Sequence, residues 1–431
     1  MLQRVRCCVC LLILLAGPQL LLSQETQPLL AITHVHVVPM DRERVLTDQT
    51  VLIVGNHIAR IGPADKVKVP KTADLVDGIG KYLLPGLADM HVHETDEAML
   101  PIYLDNGITT VVNMNGSPPV LALRDKIRKG LVTGPNLYTT GPLLAGEGVM
   151  WRNKVVIKTP EDARRTVKEQ VQAGYDFLKI YEGLSKENYE EIARTAHALG
   201  GRMIGHVPDD VGLEGVLRAH QEAVHHVGGV IWGYFWPDLD VARIPDAVRK
   251  MREAHAYFCP TFAIYRTFAK QVSDQQSLLA RPEMIYISPE TLAWWKQATP
   301  KVDTTYRLFD YFGRRLIRAM EDGGVPILVG TDNTNPFVVP GFSIHDELAA
   351  LVDAGLSPYE AISGATRLSS EFLRNDGGTI LVGKRADLLL LERNPLDDVA
   401  NLKNLKGIVL HGRWISKDDL DAMLDPVKGT I

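Results

Sequence analysis

The chain has 431 residues, of which 45% are hydrophobic and 23% are charged. This length and composition allow one large globular core with a smaller second domain. A formal net charge of −5, without a basic stripe, argues against a nucleic-acid-binding surface and against a polybasic segment that binds anionic lipid.

Residues 1–23 have the pattern of a secretory signal peptide: two arginines, an apolar run at 7–16 that is interrupted at Gly17, and a small residue, Ser23. The run is shorter than the roughly 20 residues that a membrane-spanning helix requires. We therefore expect cleavage near Ser23, export to the periplasm or the medium, and no stable membrane anchor. Cleavage would leave Cys259 as the remaining cysteine, so the mature chain is expected to lack an internal disulfide.

Strand-like segments occur near both ends of the chain. Those near the start are 31–38, 51–54 and 57–61, and those near the end are 386–391, 407–410 and 413–415. Gly55-Asn56 between two of them predicts a hairpin. Because neither end could close a core alone, residues 24–84 and 377–431 are predicted to pair into one small β-sandwich domain.

Strands and helices alternate along residues 85–376. The predicted strands are 82–94, 109–114, 136–140, 176–181, 202–207, 223–227, 257–261 and 326–331. Helical patterns such as 161–173 and 186–199 separate most of them. Eight apolar strands separated by helices are typical of an α/β fold of the (β/α)₈ TIM-barrel type. An open doubly wound sheet is the alternative, but no Gly-rich phosphate loop follows any strand.

Metal-binding side chains stand at the carboxyl ends of the predicted strands, where a barrel of this type carries its chemistry. His91 and His93 alternate with Val92, so they share one face of the first strand. An isolated His-Xaa-His pair is more often structural. Here later strands supply further candidates, which are Lys179, His206, His226 and Asp332.

Lys179 needs a separate explanation, because an ammonium beside metal ions is electrostatically unfavourable. A neutral lysine with a lowered pKa could take up carbon dioxide, and the resulting carbamate is an anion with two oxygens that can bridge two metals. The alternative is that Lys179 points out of the barrel into an ion pair. Leu178 and Ile180 suit packing beneath the helices, which leaves Lys179 facing inward.

Several motifs together resemble the amidohydrolase superfamily. They are PGLADMHVH at 85–93, FLKIY at 177–181, the Gly-His pair at 205–206, VHH at 224–226, GTD at 330–332 and GKRADLLLL at 383–391. Within the superfamily they are most similar to the imidazolonepropionase-related branch that includes carbamylated-lysine dipeptidases and prolidases. The resemblance covers nearly all of the chain after the leader, and it implies a metal-dependent hydrolase whose barrel carries a β-sandwich made from both chain ends.

Position by position, the resemblance implies two divalent metal ions, with zinc as the expected ion. His91, His93 and Asp332 would hold one ion, His206 and His226 the other, and a carbamate on Lys179 would bridge them. Family members often have Glu before the last of these histidines. This chain has His225 there, so the choice between His225 and His226 stays open, although the strand register favours His226.

The implied chemistry is hydrolysis of an amide or related bond, in which a water shared by the two metals attacks a carbonyl carbon. Lys179, as the carbamate, and Asp332 are the catalytic candidates, with Asp332 as the general base that passes a proton to the leaving nitrogen.

The substrate is expected to be a small molecule, and three residues are candidates for binding it. Tyr181 shares a strand face with Lys179, Arg152 could bind a carboxylate, and Trp236 ends an aromatic segment after the sixth strand. Arg266 is a further carboxylate candidate. The long connection 265–325 could form a lid.

Three functions remain open at this point. The first is a binuclear hydrolase of dipeptides, Xaa-Pro dipeptides or N-acyl amino acids. The second is a one-metal cyclic amidohydrolase or deaminase of imidazolonepropionase type, in which Lys179 would be unmodified. The third, a scaffold without catalysis, is disfavoured by the intact set of six ligand-type residues, and a homo-oligomer is left open.

Overall fold

A computed structural model describes residues 29–93, 95–151, 153–298 and 304–431. The predicted signal peptide at 1–23 and the substrate candidate Arg152 lie outside these residues.

Seventeen strands are assigned within the described ranges. They are β1 (Leu29–Val37), β2 (Leu46–Val54), β3 (His57–Pro63), β4 (Asp74–Asp77), β5 (Tyr82–Pro85), β6 (Leu87–Val92), β7 (Ile108–Asn113), β8 (Asn136–Thr139), β9 (Leu143–Ala145), β10 (Lys154–Val156), β11 (Leu178–Ile180), β12 (Met203–Gly205), β13 (Ala223–His225), β14 (Tyr257–Cys259), β15 (Leu388–Leu391), β16 (Leu405–Leu410) and β17 (Arg413–Ser416).

The α-helices of the same ranges are α1 (Leu100–Asp105), α2 (Pro118–Arg128), α3 (Pro160–Ala173), α4 (Lys186–Leu199), α5 (Gly212–Arg218), α6 (Val227–Val230), α7 (Ile244–Glu253), α8 (Phe262–Ser273), α9 (Gln275–Leu279), α10 (Pro289–Gln297), α11 (Thr304–Asp322), α12 (Ser343–Asp353), α13 (Pro358–Gly364), α14 (Arg367–Leu373) and α15 (Lys417–Leu424). A π-helical turn, Ile231–Phe235, follows α6.

Both ends of the chain pair in one mixed sheet. Its strand order is β17-β16-β15-β5-β1-β2-β3, with β4 pairing on β1. The junction between the two ends is the antiparallel pair β5 and β15, in which Leu83 lies opposite Leu390. The sequence predicts a sandwich at this place, and the hydrogen bonding gives a single eight-stranded sheet.

The middle of the chain forms two parallel sheets, β6-β7-β8 and β10-β9-β11-β12-β13-β14. A single bridge between Thr140 and Phe177 connects one sheet to the other. The segment 326–331, predicted as the eighth strand, is not a regular strand. It is held by one bridge from Ile327 to Phe258 and by backbone hydrogen bonds to β6. Among the described residues the strands therefore do not pair as one continuous closed sheet.

The predicted strand 82–94 divides at Gly86. β5 before it joins the mixed sheet of the chain ends, and β6 after it joins the parallel sheet that carries His91. The Gly86 amide donates to the Asp387 carbonyl at 2.8 Å, and a side chain at this position would overlap Thr109. A residue without Cβ is required here because the chain passes between the two sheets at close approach.

Helix ends follow the local sequence. α3 begins with a capping box between Thr159 and Asp162 and ends at Gly174, and α4 begins at the Ser185 cap and ends at Gly200. Both glycines adopt the left-handed conformation that closes a helix. In the described part of the chain, no helix has both the length and the apolar character needed to cross a bilayer.

Candidate active site

Side chains from the first and last predicted barrel strands meet at one point. His91 is in β6, His93 follows it, and Asp332 follows the segment 326–331. Oδ1 of Asp332 lies 2.9 Å from Nε2 of His93 and 3.3 Å from Nε2 of His91. The Asp332 amide donates to the His91 carbonyl at 2.8 Å, so the backbone fixes this approach.

His206 and His226 complete a cluster of imidazoles. The centroid of the His226 ring lies 4.5 Å from the centroid of the His206 ring and 4.7 Å from that of the His91 ring. Nδ1 of His226 lies 3.7 Å from Asp332 and 2.8 Å from Oγ1 of Thr261. The strand therefore turns His226 toward Asp332.

Three residues at this site have positive φ angles, which are 69° at His226, 45° at Thr261 and 57° at Asp332. Such conformations cost about 1–3 kcal/mol each and persist where the surrounding structure enforces them, often at functional sites. The backbone therefore carries strain at the point where the polar side chains converge.

His225 faces a different direction from His226. Its Nδ1 lies 2.9 Å from Nδ1 of His91, on the side of the His91 ring opposite the contact with Asp332. This placement puts His225 behind His91, whereas His226 faces Asp332.

Lys179 is fully buried on β11, and its Nζ has no hydrogen-bond partner among the described residues. Leu178 and Ile180, its neighbours on the strand, pack into the main hydrophobic core. The side chain of Lys179 therefore points from the opposite face of the sheet, toward the interior of the predicted barrel. Burial lowers the pKa of Lys179 to about 8, although Asp332 raises it. The alternative, an outward ion pair, is not found among the described residues, and burial brings the pKa of the amine down toward neutrality.

Three histidines of the cluster are held in the neutral form. Burial lowers the pKa of His91, His206 and His226 well below the usual value, and the neighbouring Lys179 lowers each further. A neutral imidazole offers a lone pair to a metal. Burial raises the pKa of Asp332, but His226 and His93 lower it, and the net shift is downward. The group therefore consists of neutral nitrogen donors and one carboxylate.

These donors fit a borderline divalent metal. One ligand atom each from His91, His226 and Asp332 lies within 4.8 Å of the other two. His91 Nε2, His93 Nδ1 and Lys179 Nζ are buried without hydrogen-bond partners within the described ranges. Buried polar atoms are normally satisfied, so unsatisfied nitrogens around a carboxylate are what a metal-binding site would contain.

Two buried carboxylates that sequence reasoning did not assign hold the site in place. Asp89 accepts from the amide of Thr331 at 3.0 Å and from its hydroxyl at 2.7 Å, and it accepts from the His91 amide at 3.2 Å. It thereby links β6 to the segment that carries Asp332. Its position in the motif PGLADMHVH was the available signal.

Glu347 on α12 is the second carboxylate. It accepts from the amides of Phe262 at 2.9 Å and Ala263 at 2.6 Å, at the start of α8. Burial raises the pKa of Glu347 to about 8, although these two amides lower it. Thr261 immediately precedes this helix and contacts His226. By fixing the start of α8, Glu347 therefore holds Thr261 in place beside His226 without contacting His226 itself.

A cavity of about 370 Å³ opens above the cluster. Its aromatic wall consists of Trp151, Tyr181, Trp232, Tyr265, Tyr306 and Phe309. Glu182 and Asp209 also line it, and Glu182 contacts Nδ1 of His206 at 3.2 Å. Within the described residues the lining contains no lysine or arginine, so this wall suits apolar, aromatic or uncharged polar groups.

The substrate-binding candidates have different positions. Tyr181 lines the cavity, with its ring centroid 4.2 Å from that of His206. Trp236 packs on Trp232 at 4.1 Å and is not part of the lining, so Trp232 is the tryptophan of this segment that faces the cavity. Arg266 is engaged by Asp353 at 2.9 Å.

Comparison with known proteins identifies the family. The model of the amidohydrolase family matches residues 82–415. The chain belongs to the amidohydrolase family. It is therefore a hydrolase acting on carbon–nitrogen bonds, in a family that generally uses divalent metals.

Individual relatives are distant. Ochratoxinase of Aspergillus niger is 22% identical over an alignment of 349 positions that covers 71% of this chain and 64% of the relative. Among solved structures, a Xaa-Pro dipeptidase with bound methionine in the active site has a TM-score of 0.71 at 21% identity, over 90% of this chain and 100% of the other. Bottromycin amidohydrolase has a TM-score of 0.74 at 23% identity, and the match covers 93% of this chain and 89% of the other.

The family and these structures imply a TIM barrel with a β-domain. The predicted superfamily is thus confirmed, and so is the enzyme class.

The contact between Glu347 and α8 leads to a prediction about stability. We expect Glu347→Ala to lower the free energy of unfolding by about 2–4 kcal/mol, because two buried amides would lose their acceptor. Urea unfolding followed by circular dichroism measures this. The control is Glu360→Ala, which removes the half-buried carboxylate that accepts from the Ser357 amide in the capping box of α13, and it should lose about 1 kcal/mol. Equal losses in the two variants would contradict the role assigned to Glu347.

Proposed function

We propose that the protein hydrolyses an amide or peptide bond of a small substrate with a binuclear metal centre bridged by carbamylated Lys179. His91, His93 and Asp332 would hold one metal, and His206 and His226 the other. The observation that supports this proposal best is the buried Lys179 amine, which has no hydrogen-bond partner among the described residues beside neutral imidazoles.

Carbamylation gives the Lys179 amine a function that burial alone does not. The neutral amine attacks the carbon of carbon dioxide, and a nitrogen–carbon bond forms. The electrons of one carbon–oxygen π bond move to the oxygen, which becomes anionic. A proton then leaves the nitrogen for the solvent. The product is an anion in place of a cation, which suits a position among metal ligands. Zinc is the ion we expect from nitrogen and carboxylate donors.

Divalent metals supply a water of lowered pKa and polarise the substrate carbonyl when they are bound. The residues of this chain have complementary tasks. Asp332 lies within 3.7 Å of three histidines and can hold the proton that the water loses, then deliver it to the leaving nitrogen. Tyr181 lines the cavity beside His206 and can donate its hydroxyl proton to a substrate oxygen.

The substrate we propose is a dipeptide, a Xaa-Pro dipeptide or an N-acyl amino acid with an apolar or aromatic group. The aromatic wall of the cavity supports the apolar part. For a substrate carboxylate, Arg152 stays the proposed partner, since Arg266 is already paired with Asp353. Export through residues 1–23 is likewise proposed from the sequence.

One observation favours the one-metal alternative as a second candidate. His91, His226 and Asp332 form a three-ligand group by themselves, which is the ligand number of a catalytic zinc site with an open position. A cyclic amidohydrolase or deaminase could use this group with Lys179 unmodified. The uncompensated burial of Lys179 is why we prefer the binuclear enzyme.

The proposed reaction predicts a specific loss in Asp332→Asn. We expect the zinc-loaded, bicarbonate-treated protein to hydrolyse members of a panel of dipeptides, Xaa-Pro dipeptides and N-acyl amino acids. In Asp332→Asn, kcat should fall by about 100-fold to 10,000-fold, because the proton acceptor is removed. Asp125→Asn, an exposed residue of α2, is the control and should retain activity. Hydrolysis of cyclic amides or deamination alone would favour the one-metal enzyme instead.

The cavity wall predicts which tryptophan matters for aromatic substrates. Trp232→Ala should raise KM for a substrate with an aromatic side chain about 5-fold to 100-fold, because one aromatic contact contributes about 1–3 kcal/mol. KM for the matched glycine or alanine substrate should change less. Trp236→Ala, which removes the ring behind Trp232, should have the smaller effect. A larger effect of Trp236→Ala would restore Trp236 as the substrate contact.

A further inference from the structure

His225 occupies a distinctive position behind the proposed metal site. Only 1% of the residue is exposed, and its ring meets that of His91 edge to face, with the centroids 4.9 Å apart. The two Nδ1 atoms are 2.9 Å apart, whereas Nε2 of His91 lies 3.3 Å from Asp332. The two nitrogens of His91 therefore have different partners, one toward the site and one toward His225.

The contact between the two Nδ1 atoms has the length of a hydrogen bond. Two nitrogens sharing a tetrahedral zinc would be about 3.3 Å apart, given bonds of about 2.0–2.1 Å. Cys259 is close enough to form a three-residue group with these histidines, but the shorter nitrogen–nitrogen distance favours a shared proton over a shared metal.

Each histidine can be neutral only with its single proton on one nitrogen, so the contact couples the tautomers of both rings. If His91 carries its proton on Nδ1, it donates to Nδ1 of His225 and leaves the Nε2 lone pair facing Asp332. The opposite arrangement, with His225 as donor, would place the His91 proton on Nε2, where a metal ligand needs its lone pair.

We propose that His225 is a positioning residue that accepts a hydrogen bond from Nδ1–H of His91 and so holds Nε2 of His91 ready to bind a metal ion. This inference rests on the proposed function. Two further histidines of the cluster have similar partners: Nδ1 of His206 contacts Glu182 at 3.2 Å, and Nδ1 of His226 contacts Thr261 at 2.8 Å. Residues that orient ligand histidines in this way strengthen metal binding.

The test compares two substitutions of similar shape. In His225→Asn the amide oxygen can take the place of Nδ1 as acceptor, whereas His225→Leu places a methyl group there. We expect His225→Leu to weaken zinc binding about 10-fold to 100-fold, and His225→Asn to stay within about 3-fold of the wild type. Competition with a chromophoric chelator measures the zinc affinity without relying on activity.

His345→Leu is the matched control. It removes another buried histidine, on α12, to which we assign no ligand role, so its zinc affinity should equal that of the wild type. Equal affinities of the Leu and Asn variants of His225, whether both unchanged or both weakened, would overturn the positioning role. Absence of zinc binding by the wild type would instead overturn the proposed metal centre, and the positioning role with it.

A spectroscopic measurement covers the case in which His225→Leu does not fold. Long-range ¹⁵N–¹H NMR spectra of the histidine rings, recorded on the zinc-loaded wild type with His225→Asn for assignment, report each tautomer. We expect the proton of His91 on Nδ1 and that of His225 on Nε2. A proton on Nδ1 of His225 would contradict the proposal.

Discussion

The burial of the Lys179 amine is the constraint on which the rest of the site depends. A side chain that is normally charged lies fully buried, and its nitrogen has no hydrogen-bond partner in the described part of the chain. Burying a polar group in this way costs free energy unless something compensates for it. The carbamylation and metal binding proposed above would convert this unfavourable group into an anionic ligand beside the imidazoles of His91, His206 and His226.

The backbone around the site is built to bring these groups together. Asp89 links the strand of His91 to the segment of Asp332, and Glu347 fixes the start of α8 next to Thr261, which contacts His226. His226 and Asp332, both with positive φ angles, direct their side chains toward each other. The stable packing of the surrounding sheets and helices thus maintains backbone conformations at His226 and Asp332 that are locally unfavourable.

Much of this could be predicted from the sequence, because metal-binding residues at the ends of successive strands are a local pattern. The approach of His91, His93, His226 and Asp332 followed from that pattern and from the family resemblance. The partners of the histidines could not be predicted. Glu182, Thr261 and His225 contact their histidines through side-chain orientation, which strand alternation does not determine.

The fold shows the same division. The alternation of strands and helices and the hairpin at Gly55-Asn56 were readable locally, whereas the break at Gly86 depends on a tertiary contact with Thr109. Likewise, the sequence alone does not distinguish Trp232 from Trp236 as the residue that contacts the substrate. The packing of the folded chain places Trp232 in the cavity wall.

The central claim, that Lys179 bridges two metals as a carbamate, is tested most directly by metal content. Zinc per chain should be measured after dialysis with and without bicarbonate, for the wild type and for Lys179→Met, which keeps the length of the side chain without the amine. The account predicts two zinc ions per wild-type chain with bicarbonate and one or none in Lys179→Met under either condition. A single zinc ion per chain in both proteins, independent of bicarbonate, would contradict it.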